Sequence, residues 1–163
     1  MSRVRKISPC LWFDGQAEEA AALYTTIFPN SRILQVGRYG EAGKEIHKRP
    51  PGSVMVVAFE LDGQSFTALN GGPLFTFSEA ISFQVDCATQ ADVDYYWSRL
   101  SEGGEEGPCG WLKDKFGLSW QIVPSVLPEL VGDPDSAKSQ RAMTAMMQMK
   151  KLDIAKLQQA YAG

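Results

Sequence analysis

With one histidine and three cysteines in 163 residues, this chain has little material for nucleophilic or metal chemistry. His47 lies in a Gly- and Pro-containing stretch, residues 40 to 52, and no cysteine is near it in sequence. A Ser/His/Asp or Cys/His arrangement needs a base held against its nucleophile, and neither can be assembled around this histidine. A metal centre needs three or four converging His, Cys, Asp or Glu side chains. Glu45 and His47 alternate, but a solvated loop accounts for both. Cys10, Cys87 and Cys109 are an odd number without a CxxC spacing, which fits reduced thiols in a cytoplasmic protein. Asn70-Gly71-Gly72-Pro73 lacks the Gly-Lys-Ser/Thr ending and the following helix of a phosphate loop, so it reads first as a turn and second as a backbone-lined ligand contact. No GxGxxG dinucleotide fingerprint is present.

Alternation of side chains points to a different kind of site. From Lys6 to Phe13, Ile7, Pro9, Leu11 and Phe13 share one direction, and Ser8, Cys10 and Trp12 the other. That is the pattern of a strand covered on one face. If the apolar faces of the strands pack on helices, the opposite faces line a concave surface. It carries Ser8, Cys10, Trp12, Ser65, Thr67, Leu69, Ser82, Gln84, Ser119, Gln121 and Val123. Neutral polar groups beside an aromatic suit a small organic ligand held by a few hydrogen bonds over apolar contact. The alternative is a second face that is simply wet or packed on a partner chain. The ligand-binding residues expected are Ser8, Cys10, Trp12, Thr67, Ser82, Gln84 and Gln121. Gln121 can donate and accept at once, and Trp12 offers a flat wall with one N–H.

The elements that position this face are written twice. Gly110 to Pro124, GWLKDKFGLSWQIVP, reads as a β-hairpin around Phe116-Gly117, and Phe59 to Leu69, FELDGQSFTAL, echoes it when Gly63 is laid on Gly117. Upstream, Ile7, Ser8, Gln16, Ala17 and Glu18 precede Ile81, Ser82, Gln90, Ala91 and Asp92 by 74 positions each. The chain therefore reads as a βαβββ module repeated. The modules span about residues 5 to 72 and 80 to 124, forming one domain over 1 to 124, and 125 to 163 form a helical tail. Helices are expected near 15–28, 90–100, 135–149 and 153–161. Asp133-Pro134 is read as an N-cap with proline at the first helical position, and the Met-rich tail is expected to lie on the modules or on a partner chain. The fold class is α+β, paired βαβββ modules with a C-terminal helical tail.

Composition bounds the partners. A net charge of −3 argues against a general nucleic-acid binder, which would show a basic face. The longest unbroken apolar run, Val54 to Phe59, is far short of the roughly 20 residues of a membrane helix, and MSRVRK lacks the apolar stretch of a secretory signal. Sheet edges, four tryptophans and the Met-rich tail point to a homodimer.

The strings PCLWFDGQAEEAAALY, LNGGP and CGWLKDKFGLSWQIVP, with the doubled βαβββ plan, resemble the PhnB-like branch of the vicinal oxygen chelate superfamily. That superfamily includes glyoxalase I, bleomycin-resistance proteins and extradiol dioxygenases, and the branch is often labelled a 3-demethylubiquinone-9 3-methyltransferase domain. The resemblance covers residues 5 to 124. It implies metal-ligand positions near Lys6 or Ser8, at Thr67, near Ala80 or Ser82, and at Gln121; none of these is His or Glu. The expectation is therefore no metal and no cofactor. Nor does the sequence carry a glycine-rich loop after a first strand with an acidic residue closing the next, the usual arrangement for adenosylmethionine. Three functions remain open: metal-free small-molecule binding, akin to sequestering resistance proteins; an enzyme, either a metal-independent lyase or isomerase or the methyltransferase of the label; and a subunit-interaction module. Acid–base catalysis needs a titratable group in the site, and the face offers only Cys10 and Asp86.

Overall fold

A computed structural model describes residues 6–163, and the chain divides after Thr76 into two compact units. Both are βαβββ, so the fold is α+β with paired modules and a helical tail.

The first unit runs β1 (Cys10–Phe13), α1 (Ala17–Ile27), β2 (Arg32–Arg38), the single turn α2 (Lys44–His47), β3 (Val54–Leu61) and β4 (Gln64–Asn70). Its sheet is ordered β1-β4-β3-β2, with β1 parallel to β4 and the other pairs antiparallel. Alternation sets the buried face: Leu11, Phe13, Val57, Phe59, Leu61, Phe66 and Ala68 are all buried. They meet α1 through Ala17, Ala20, Ala21, Tyr24 and Ile27. Small alanines let the helix lie close, and Tyr24 then packs 6.4 Å from Phe59. Each large apolar side chain buried here contributes about 1.5–3 kcal/mol. The helix has no cap of its own; the Asn70 side chain, at the end of β4, accepts from the Ala17 amide at 2.9 Å. That bond ties the helix start to the sheet and satisfies an otherwise orphan donor.

The first strand is shorter than its alternation predicts. Pro9 has no N–H to give a ladder, although its carbonyl still accepts from Thr67 N at 2.9 Å. Ile7 and Ser8 lie before the strand and are exposed.

The second unit runs β5 (Ser82–Cys87), α3 (Gln90–Ser101), β6 (Glu105–Glu106), β7 (Trp111–Lys113) and β8 (Ser119–Pro124), ordered β5-β8-β7-β6. Thr89 caps α3 by accepting from Asp92 N. Val93, Trp97 and Leu100 of α3 are buried, as are Val85, Cys87, Leu112, Trp120 and Ile122 of the sheet. The β7–β8 turn is built on Asp114. Its buried carboxylate accepts from Phe116 N, Leu118 N and Trp120 Nε1 at 2.9, 3.1 and 2.9 Å.

The tail belongs to this second unit. Three helices, α4 (Leu127–Val131), α5 (Ser136–Met147) and α6 (Ile154–Ala162), enclose their own core of Leu127, Leu130, Ala142, Leu152 and Leu157, with Val123 of β8, Met146 and Met149 packed against it. The α5 cap is Asp135, not Asp133. Asp135 accepts from Ala137 N and Lys138 N, whereas Asp133 accepts from Asp135 N and from the Tyr161 hydroxyl and so folds the approach to the helix. Between the helices the chain pairs with the sheet: Cys109 N and Gly110 N donate to the carbonyls of Met149 and Lys150, both at 2.8 Å. Gln90 adds a clamp, donating to Leu152 O and accepting from Ile154 N.

Candidate functional site

In each sheet the face away from its helix carries the side chains that strand parity assigned to it. In the first unit, Cys10 lies opposite Thr67 and Trp12 opposite Leu69 across the parallel pair, with Ala58 beside Thr67. In the second, Ser82 lies opposite Ser119 and Gln84 opposite Gln121, with Trp111 beside Gln121 and Lys113 beside Ser119. Six of the seven expected residues therefore share these faces, Cys10, Trp12 and Thr67 in one unit and Ser82, Gln84 and Gln121 in the other. Ser8 falls outside the strand.

The hydrogen bonds change two of the assigned roles. The Trp12 N–H is already given to the Gly72 carbonyl at 2.8 Å, so the indole serves as a wall and not as a donor. It lies directly over Gly71, where a Cβ would come within 2.2 Å of the ring, and Phe75 packs edge-on against it at 4.8 Å. The Gly-Gly turn is thus the seat of an aromatic side chain. Gln121 donates to the Ser82 hydroxyl at 2.8 Å, which orients its amide across β8 and β5. The Cys10 thiol is pushed up by burial, and Asp86 accepts from the Ser125 hydroxyl. Neither is arranged as a free acid or base.

The second unit holds a cleft of about 450 Å³ lined by Glu79, Glu105, Glu106, Gly107, Pro108, Cys109, Trp111, Leu112, Lys113 and Ser119. Of these, sequence reasoning placed only Ser119 on the open face. The signal for Trp111 and Lys113 was there: in a hairpin, residues alternating with the buried Leu112 must share a face with Gln121. Lys113 Nζ meets Glu79 Oε1 at 2.5 Å. The shared hydrogen bond lowers the Glu79 pKa and raises that of Lys113, so the pair is ionised at neutral pH. Trp97 Nε1 donates to Glu106 at 2.9 Å. Ser119 is only 1% exposed, and its hydroxyl is buried without a hydrogen-bond partner among the described residues. Such a group costs about 1–3 kcal/mol unless something pairs with it.

The donor chemistry does not fit a metal. Among the described residues no group of three or more His, Cys, Asp or Glu side chains is placed to hold an ion. The positions the superfamily would use hold Ser82 and Gln121, bonded to each other, and Thr67. Neutral hydroxyls and amides are weak ligands for zinc, nickel or manganese without an anionic or imidazole partner. Nor is there an adenosylmethionine cradle after β1, where the chain passes into α1 through Asp14-Gly15-Gln16.

The profile of the family described as 3-demethylubiquinone-9 3-methyltransferase matches residues 5–123. No curated protein matches the sequence. Among solved structures, the chain is similar to one described as a 3-demethylubiquinone-9 3-methyltransferase, the PhnB protein of Bacillus cereus. The identity is 34% and the TM-score 0.64, over 74% of this chain and 99% of that one. It is also similar to the protein PA1353 of Pseudomonas aeruginosa, at 18% identity and a TM-score of 0.60, over 74% and 98% of the two chains. The fosfomycin resistance protein FosX of Listeria monocytogenes, in complex with Mn(II) and sulfate, matches at 17% identity and a TM-score of 0.50, over 79% and 94%. The last two are likenesses of fold alone.

Proposed function

Because the chain belongs to the 3-demethylubiquinone-9 3-methyltransferase family, the PhnB-like branch of the vicinal oxygen chelate superfamily, we propose that it uses the open faces of its sheets to bind a small organic molecule without a metal. The observation that carries this reading is the cleft of about 450 Å³ on the second sheet, with an aromatic wall at Trp111 and a buried, unpaired hydroxyl at Ser119. Small-molecule sites combine apolar lining with a few placed polar groups. Gln121, oriented by Ser82, lies opposite Trp111 across β7 and β8, beside the cleft lining, where its amide would meet a ligand that extends past that wall. In the first unit Cys10, Trp12 and Thr67 offer a similar surface, and Gln84 extends the second.

The test is mass spectrometry of what the purified protein releases on denaturation, followed by titration of that compound. Gln121→Ala is expected to weaken binding by about tenfold at unchanged fold. Unchanged affinity would remove Gln121 from the site. Gln121→Glu is expected to confer no metal-dependent activity, because one carboxylate does not make a metal centre. Elemental analysis of dialysed protein finding about one transition metal per chain would overturn the metal-free reading.

Two further parts of the proposal concern assembly and place. β2 is an edge strand that exposes Ile33 and Leu34, and edges of this kind are paired or covered in native proteins. A homodimer is the expected state, checked by sedimentation. Among the described residues no helix is long and apolar enough to cross a membrane. The three free thiols support a cytoplasmic setting. Methyl transfer, the reaction in the family's name, is the competing reading. Methylation of a quinol substrate by the purified protein would establish it.

A further inference from the structure

We infer that the cleft of the second unit is selective for an organic cation with a flat apolar body, and that Lys113 is a built-in competitor for its place. The inference rests on reading this face as ligand-binding and adds the charge of the ligand. Two carboxylates, Glu79 and Glu105, face the cleft against one ammonium, Lys113, which leaves one negative charge in excess; Glu106, opposite the buried Leu112, turns its carboxylate to the Trp97 N–H instead. Trp111 lines the same cleft, and an indole face attracts a cation through its quadrupole. The buried Ser119 hydroxyl, without a hydrogen-bond partner among the described residues, lies opposite Lys113 across β7 and β8 and would accept from an N–H that displaces the side chains covering it. Lys113 itself marks where a cation goes: its ammonium sits 2.5 Å from Glu79. Both partners of that ion pair are substantially exposed, at 37% and 60% of their side chains, and an exposed pair of this kind is weak and readily exchanged. A ligand amidinium or ammonium would take the Glu79 carboxylate from Lys113 and lay its ring on Trp111. Glu105, opposite Lys113 across β6 and β7, stays in place as a second carboxylate.

The experiment uses the full chain and three probes of one shape and different charge: benzamidine, benzamide and benzoate. Binding is followed by the indole N–H resonance of Trp111, assigned with Trp111→Phe, in wild type, Lys113→Met and Glu79→Gln. Benzamidine is expected to bind more tightly than the other two, and less tightly as salt rises. Lys113→Met is expected to tighten benzamidine about threefold to fivefold by vacating Glu79, and Glu79→Gln to weaken it by a similar factor. The opposite sign of the two effects separates competition from a general loss of structure. Benzamide or benzoate binding as tightly as benzamidine, or no tightening in Lys113→Met, would overturn the cation inference and leave the small-molecule reading standing. If none of the probes moves the Trp111 resonance, even at its solubility limit, the cleft is not a ligand site and both fall.

Discussion

The two sheets share their register and differ in what they do with it. In the parallel pairs, Cys10↔Thr67, Leu11↔Ala68, Trp12↔Leu69 and Phe13↔Asn70 of the first match Gln84↔Gln121, Val85↔Ile122, Asp86↔Val123 and Cys87↔Pro124 of the second, step for step. The next backbone bond also repeats: Gly71 N gives to Phe13 O, and Ser125 N to Cys87 O. The side chains on this scaffold have diverged in complementary sets. Trp12 lies over Gly71; at the equivalent positions Asp86 accepts from Ser125. Glu60 forms an ion pair with its cross-strand neighbour Arg32; at the equivalent place Lys113 lies opposite Glu105, with the signs exchanged, and gives its ammonium to Glu79. The first sheet continues its edge strand β2 for seven residues, and the second stops β6 after two and turns through Gly107-Pro108, which is where the cleft opens. Repetition preserved the backbone ladder, and the edge was free to diverge into a cleft.

The largest expected break of this symmetry is Asp114→Ala. The first module turns its hairpin with Asp62-Gly63 and no buried carboxylate, while the second relies on Asp114 for two amides and an indole. Removing it should cost about 3 kcal/mol or more, since buried donors lose a charged acceptor. Asp62→Ala, at an exposed turn position with φ of 46°, should cost about 1 kcal/mol or less. Chemical denaturation of both variants checks the difference; equal losses would mean the two turns are equivalent after all. Next comes Gly71→Ala, which drives a methyl into the Trp12 ring and should cost about 1–3 kcal/mol. Ser125→Ala, its counterpart, loses only an exposed hydroxyl bond and should be close to neutral.

Arg141→Ala probes what only the second unit has. The guanidinium donates to the carbonyls of Ala160 and Tyr161 and so closes the end of α6. Its loss should cost about 1 kcal/mol and speed amide exchange in α6 while leaving the first unit untouched. Cys87→Ala, at the position where the first module has Phe13, is read best through its pH dependence. Burial, then the nearby Asp92 and Asp86, push this thiol up from 9.0 to about 12. A raised folded-state pKa contributes stability fully present below about pH 9 and lost as pH rises toward about 12. The variant should therefore flatten the alkaline arm of a stability profile in that window. An unchanged slope would show that the thiol does not contribute.

The register and the buried faces were legible because a period of two leaves few choices for Val57-Phe59-Leu61 or Phe66-Ala68-Asn70. The repeat doubled that evidence. What the sequence did not disclose were events between distant residues. Asn70 capping α1, Gly72 taking the Trp12 N–H, and Glu79 reaching Lys113 each join residues 34 or more apart. No local pattern encodes such meetings. The start of α5 was misplaced for a related reason. Asp133 and Asp135 are both good caps, and Tyr161, near the far end of the tail, binds the first and leaves the second to the helix.

The pairing of Cys109 and Gly110 with Met149 and Lys150 has a consequence for the order in which the protein is made. A ribosome releases the chain from its N-terminus, and compact units fold as they emerge. The first sheet has every strand it needs by Asn70. The second sheet has its last strand by Pro124, but the rim of its cleft, where Cys109 sits at a φ of 58°, is pinned by residues synthesised forty positions later. On the nascent chain the cleft would be the last part to take shape, and a chain cut short before Met149 would carry two sheets and an unfinished cleft.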